Sequence, residues 1–399
     1  MSKSKMMLLF LVLTSLLLSG CWSKRELNEL GIVVALGIDK VDDEYEVSIQ
    51  VVDPSEISSK QPSSGRSPVV TYHAKGKSVF EAIRRMTTLT PRKPYFSHLQ
   101  IVVIGEELAK EGLNEPLDFI ARDHEFRNDF DVIVSHEATA KEVLNVLTPI
   151  EKMPANKLLN SIKVSEKSFG STLSVSTDEL INTLSGKEKS AVLSAVEIQG
   201  DMKLGIDQTN VERIKTPVIL KYAGIAVFKD DKLVGLLSEE ESIYYNFLNN
   251  KIESTVEVIA CPKGEELSTE ITKSSSKIKG TFQNGQPKIT IKIDVTQNIG
   301  EVNCNINLTT DKTIHFIDKK TEEKIKEQTE KTLKIIQKDY KLDILGFGEA
   351  LHRADPTKWK ELQKEWSTIY PEVTVNIDVH VTTQGLGTIQ NSLLYKSKE

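Results

Sequence analysis

Three cysteines and seven histidines in 399 residues, with no two histidines at the spacing of a metal site, leave little from which to build a metal centre. The nucleophile elbow, the dinucleotide fingerprint and the phosphate-cradling glycine loop are missing too, and Gly346-Phe-Gly348 alone is too slight to replace them. Positive charge is also short: 51 lysines and arginines face 57 acids, a net charge of −6. An acidic chain gains nothing from phosphate attraction, so neither nucleic acid nor direct adsorption to anionic lipid is expected. After residue 20 no apolar run approaches the roughly 20 residues that span a bilayer. These absences lead us to expect no metal, no cofactor and no catalytic role.

What is present begins at the amino terminus. Met1-Ser-Lys-Ser-Lys5, the apolar run Met6 to Leu18 and then Ser19-Gly20-Cys21 have the order of an export signal: charged region, apolar region, small-residue cleavage site. With a cysteine at the first mature position this reads as a bacterial lipobox. Residues 1–20 form the signal peptide, cleavage falls between Gly20 and Cys21, and the Cys21 thiol carries diacylglycerol. An uncleaved membrane span is the weaker reading, because the run stops well short of the length a bilayer needs. Cleavage removes Lys3 and Lys5 and no acid, so the remainder is more acidic still. It is expected to work outside the cytoplasm, held at a membrane. Cys261 and Cys304 read as two separate buried thiols in preference to a disulfide, which would close a loop of about 43 residues.

The body is too long for one ordinary core, so two or three domains are expected. Gly31 to Asp39 is apolar on both faces, Glu44 to Asp53 alternates as its hairpin partner, and 69–76, 99–105, 130–135 and 191–199 follow as strands. Helical patterns lie between them. Ser78 opens one with Val79, Ala82, Ile83 and Met86 on one face, and Thr139-Ala-Lys-Glu142 is a capping box for another. Further helices are expected at 106–111, 115–122, 155–163 and 177–185. Strand alternating with helix makes 21–205 a mixed α/β region, divisible near the Pro/Ser-rich loop 54–68 and near 185–200.

Residues 206–399 read differently. A hairpin over 222–237 and a helix at 239–248 precede three alternating segments, 255–260, 288–295 and 301–309, which imply an antiparallel sheet with one buried face. A long helix over 317–340 follows, its Lys and Glu forming a solvated face. Asp355-Pro356 caps a helix carrying Trp359, Leu362, Trp366 and Ile369 on one stripe, read as core and not as a ligand platform, and 373–381 closes as a strand. The fold class therefore runs from α/β in the first part to α+β, an antiparallel sheet with covering helices, in the second.

The densest polar cluster is Arg122-Asp-His-Glu-Phe-Arg127. Two acids, a histidine and two arginines could support acid/base chemistry, but after a helix such a run reads better as an internally paired loop. Arg122, Asp123 and Arg127 are retained as candidate partner-binding residues.

In order, these blocks resemble the Ger(x)C family, the lipoprotein C subunits of spore germinant receptors. The resemblance is carried by Cys21-Trp22 with Arg25-Glu-Leu-Asn28, Gly37-Ile-Asp39, Ser97-His-Leu99 leading to Val102–Ala109, Ala121-Arg-Asp123 with Arg127, and Pro154-Ala-Asn156. In the second half it rests on Gly224–Phe228, Asp343–Gly348 and Trp359 through Trp366 to Pro371. It implies a three-domain α/β body on the outer face of the spore's inner membrane, without enzymatic activity, assembled with integral membrane A and B subunits into a receptor for small nutrients. A lipoprotein solute-binding component of a transporter is the alternative, and would need a ligand cleft between two α/β domains. An exported hydrolase using Asp123 and His124 comes third.

Overall fold

The computed structural model describes residues 3, 4, 7, 29–57, 66–186, 188–262, 264–387 and 391. Gly20 and Cys21 lie outside the described residues, as do Trp22, Arg25–Asn28 and positions 58–65 of the Pro/Ser-rich loop.

A nine-stranded sheet organises the first part. β1 (Leu30–Val41) is its central strand, flanked antiparallel by β2 (Glu44–Val52), which in turn pairs β3 (Val69–Gly76). β4 (Lys93–Tyr95) and β5 (Ile101–Ile104) both pair β1 in parallel, and β6 (Asp131–Ser135) and β7 (Val192–Gln199) continue the parallel array. β8 (Ile219–Lys229) and β9 (Lys232–Leu237) complete the order β3-β2-β1-β5-β6-β7-β8-β9. The sheet therefore runs through position 205/206, where composition suggested a boundary. β8 pairs β7 from Ile219↔Gln199 to Val227↔Val192, so burying those two strands requires them to stay together.

Helices cover both faces, which is why β1 is apolar from Leu30 to Ile38. On one side lie α1 (Val79–Met86), α2 (Glu106–Glu111) and α3 (Asn114–Arg122), packing Met86, Leu108 and Ile120 onto Val33, Leu36 and Ile38. On the other, α4 (Ala140–Asn145) and α5 (Pro154–Ser168) pack Leu144, Leu158 and Ile162 onto Val34 and Ala35. A β-bulge between Val33 and Ala35 interrupts the alternation, so that the neighbours Val34 and Ala35 face the same side. The expected caps form: Ser78 Oγ accepts from Glu81 N–H, and Thr139 and Glu142 exchange both bonds of a capping box. α6 (Thr177–Ser185) and α7 (Glu239–Leu248) lead toward the second sheet.

That sheet has four strands: β10 (Thr255–Ala260), β11 (Glu266–Gln283), β12 (Gln286–Val302) and β13 (Thr374–Gly385). The first three are antiparallel, and β13 adds in parallel to β12, so the sheet is mixed. α8 (Asp311–Lys334) lies across it, with Ile325 and Leu333 facing Ile289, Ile291 and Ile293. Two further differences stand out. β11, rich in Ser, Thr and Lys, pairs β12 along its whole length, and the strand expected over 301–309 stops at Val302. There Cys304 turns inward and Asn307 Oδ1 accepts from Thr309 N–H, a local turn that competes with the ladder.

Cys261 and Cys304 are joined by a disulfide, their Cα atoms 6.4 Å apart, which overturns the expectation of separate thiols. The bridge ties the end of β10 to the loop after β12, inside a small cluster of Ile259, Leu267, Ile299 and Ile317. Where the resemblance implies three domains, one hydrophobic core runs from Val33 and Leu36 through Tyr245 and Phe247 of α7 into the second sheet. Hydrogen bonds from Ser190 N–H to Asp343 O (2.8 Å) and from Tyr340 Oη to Leu236 O (3.0 Å) fasten the two parts.

Candidate functional site

The Arg122–Arg127 run leaves α3 and turns into β6. Its charges are spent locally. Arg122 Nε donates to Asp118 at 2.7 Å, one helical turn back, and Arg127 pairs with Asp129 at 2.7 Å. Asp123 Oδ1 accepts from Glu125 N–H at 2.9 Å, while Glu125 meets Lys93 Nζ. His124 projects into solvent with its Nδ1 3.8 Å from Asp123, too far for a hydrogen bond. Phe126 pins the run from below, stacked on Phe96 at 4.6 Å and edge-on to Phe119 and Phe130. The structure leaves Arg122 and Arg127 exposed and Asp123 half-buried beside them in sequence, without aiming His124 and an acid at a common point. That arrangement can present charge to a partner.

Two other sequence blocks meet a different need. Asp39, at the end of β1, is buried, and its carboxylate accepts from Ala140 N–H (2.8 Å) and Lys141 N–H (3.0 Å) at the start of α4. Burial pushes its carboxyl up to about 6, against the pull of those donors. The second half repeats the device. Asp343 Oδ1 accepts from Gly346 and Phe347 N–H, and Oδ2 from Gly348 N–H and Trp366 Nε1–H, at 2.7 to 3.1 Å, at the start of α9 (Phe347–Ala354). It too is raised to about 6 by burial, opposed by its donors.

Gly346-Phe-Gly348 is therefore a helix start closed by the chain's own carboxylate. Gly346 sits at φ +77°, and a Cβ on Gly348 would stand 2.7 Å from the Trp359 ring. Trp359, on α10 (Pro356–Leu362), and Trp366 are buried edge-to-face at 5.3 Å, as core residues. Periodicity missed Asp343, because one acid in an apolar run has no period; the Asp-x-x-Gly spacing ahead of a helix was the available signal.

A groove of about 690 Å³ opens between α5 and β8, walled by Ile150, Val164, Phe169 and Ile219, with Lys157 below. Lys157 Nζ donates to Ser161 Oγ and Leu220 O, and burial lowers its pKa. Sequence reasoning did not mark this groove, since exposure of single aliphatic residues carries no pattern. Among the described residues no group of three His, Cys, Asp or Glu is placed to hold a metal, and no helix is long and apolar enough to cross a membrane.

Fold and site together describe an α/β to α+β protein whose buried polar groups start helices and join its parts. The crystal structure of the GerBC protein shares this fold, with a TM-score of 0.56 and 20% identity over 87% of this chain and 96% of that one. Residues 23–198 match the spore germination protein N-terminal domain, and 223–387 match the family described as spore germination B3/GerAC like, C-terminal. Spore germination protein KC of Bacillus subtilis (strain 168) is 30% identical over the whole of both chains. Spore germination proteins B3 and A3 of the same organism are 24% and 25% identical over at least 96% of each chain. The chain belongs to the Ger(x)C family of spore germination proteins.

Proposed function

We propose that this chain is the lipid-anchored, non-enzymatic C subunit of a nutrient germinant receptor. Cys21 holds it at the outer face of the spore's inner membrane, and it works by assembling with integral membrane A and B subunits. The observation that carries the reading is the end-to-end likeness to spore germination protein KC, spanning both halves of the chain. One observation supports it: the Arg122–Arg127 run, paired to Asp118, Asp129 and Lys93, offers a charged surface without an acid/base pair. Arg122, Asp123 and Arg127 are the contact candidates on the body.

Crosslinking in dormant spores, followed by identification of the captured proteins, tests the assembly. Capture of polytopic receptor subunits is expected, and capture of transporter permeases would replace this reading with the alternative. Deletion should abolish germination to particular nutrients and spare growth and sporulation; a deletion strain without a compensating paralogue that germinates normally refutes the function. Fatty-acid labelling lost in Cys21→Ala is the result expected of the anchor.

A further inference from the structure

Thr148-Pro149-Ile150-Glu151 forms a tight turn, with Thr148 Oγ1 donating to Glu151 O at 2.5 Å and Ile150 at φ +60°. A turn with proline second and a left-handed residue third calls for glycine or asparagine in that third place. Isoleucine is among the poorest residues for it, because a β-branched side chain crowds a left-handed backbone. Yet Ile150 is 100% exposed, so no packing within the chain compensates the strain.

The residue does not stand alone. Val164 and Ile219 are exposed on the same groove. Leu147 N–H donates to Gly205 O, and Asn210 Nδ2 to Leu147 O, which joins the turn to the 202–214 segment and its exposed Ile206 and Ile214. Ile214 is fully exposed between Arg213 and Lys215. Exposed aliphatic side chains clustered on two segments that hydrogen bonds hold side by side mark a surface made for contact.

Its position says with what. Asp53 N–H donates to Pro68 O, continuing a register in which Val33 faces Val51 and Val51 faces Val70. Pro68 is thus level with Gly31, two strands over, or roughly 10 Å away. Pro68 and Ile150 line one cavity. That surface therefore lies beside the end of β1 from which the chain runs back to Cys21. Glu29 lies eight positions after Cys21, a reach of at most about 28 Å.

We propose that the Ile150–Ile214 ridge docks into the surface of the lipid bilayer and orients the body on it. The proposal rests on the Cys21 anchor argued above. The net charge, more negative than −6 once Lys3 and Lys5 are cleaved away, opposes adsorption of the whole chain, but the ridge relies on aliphatic insertion. The 200–219 segment balances three acids with Lys203, Arg213 and Lys215, and the cations beside Ile214 can reach headgroups while the isoleucine enters the acyl boundary.

The test uses the full acylated chain in vesicles of phosphatidylethanolamine and phosphatidylglycerol. With Cys21 acylated and Cys261 bonded to Cys304, a cysteine introduced as Ile150→Cys, Ile214→Cys or, as control, Asn284→Cys at the hairpin tip is the thiol that takes a nitrobenzoxadiazole probe. Fatty-acid labelling of the same sample reports the anchor. A several-fold rise and blue shift in emission at 150 and 214, quenched by nitroxide lipids and missing at 284, is expected. Adding Ile150→Gly, which suits the left-handed backbone and keeps the turn, should cut the rise at 214. Emission at 150 and 214 no different from 284 in a labelled chain overturns the docking and leaves the anchor standing. A rise seen only after co-reconstitution with spore membrane proteins assigns the ridge to a protein and overturns the lipid assignment. An unlabelled chain overturns anchor and docking together.

Discussion

Breaking the Cys261–Cys304 bridge should cost the protein a large share of its stability. The bridge closes a loop of 43 residues that contains the whole β11–β12 hairpin. In the chain-entropy account, cross-linking a loop of that length removes about 13 cal/mol/K from the unfolded ensemble, or about 4 kcal/mol at 25 °C. Total stabilities of folded domains are only about 5–15 kcal/mol, so such a loss is readily measured. Residual hairpin structure in the unfolded chain would reduce the figure, because β11 and β12 pair over nearly their full lengths and part of the loop would already be closed.

The assay is urea unfolding with and without reductant, read by the fluorescence of Trp359 and Trp366, both buried in the second part. Reduction should lower the midpoint and raise the slope, since the freed chain exposes more surface when it unfolds. Coincident curves would refute the entropic argument, and two thiols titrating in the unfolded, unreduced protein would refute the bridge itself. The paired variant Cys261→Ala/Cys304→Ala should reproduce the reduced curve, with a further small loss from the thinned cluster around Ile259 and Ile299.

Three more outcomes follow from the buried polar groups. Asp343→Asn keeps acceptors for Gly346 and Phe347 but sets an amide donor against Gly348 N–H and Trp366 Nε1–H; a loss of roughly 2–4 kcal/mol is expected in the same urea titration, and an unshifted midpoint refutes the clamp. Gly105→Ala would place a Cβ 2.0 Å from Asp39 Oδ1 and drive that carboxylate off α4, so its cost should shrink sharply in an Asp39→Ala background, while simple additivity in the double-mutant cycle contradicts the contact. Glu257 is buried against the Tyr244 hydroxyl, and burial raises its carboxyl from 4.5 to about 7, with Lys324 pulling the other way. A raised acid stabilises the fold fully below pH 4.5 and loses that contribution as pH climbs through about 7. Glu257→Gln should therefore flatten the fall in stability between those values, by an amount on the order of 3 kcal/mol, and an unchanged pH profile counts against the burial argument.

Local pattern made much of the first sheet legible. β1, β2 and β3 and the caps at Ser78 and Thr139 follow from short-range rules of period and hydrogen bonding, and each forms where those rules place it. Pairing partners obey no such rule. Tyr222–Phe228 looked like the opening of a second part because periodicity finds a strand without saying which strand it joins, and the answer lay in β7. β11 was hidden because Lys273 to Lys277 is polar, yet ladder bonds to β12 are indifferent to side-chain polarity. The cysteines failed for a related reason: a spacing in sequence gives no distance in space. At the candidate site, Arg122 to Arg127 reads as an internally paired loop, yet its arginines pair just outside the run, with Asp118 and Asp129, and Glu125 pairs with Lys93, which no local pattern shows. Asp343 and Ile150 were not legible, one because a single acid in an apolar run has no period, the other because a backbone dihedral leaves no mark on composition.

The attachment of the chain to β1 also fixes how the body answers a pull. Whatever tension residues 21–28 transmit arrives at Leu30, the first residue of a strand held by β2 on one side and β5 on the other. Force along the strand axis shears both ladders at once, so many hydrogen bonds must fail together before β1 slides. A tether fixed to an edge strand and pulling across it would open them one at a time like a zip. If Cys21 is acylated as proposed, a displacement of that anchor would load β1 in shear and so act on the middle of the sheet instead of peeling its edge.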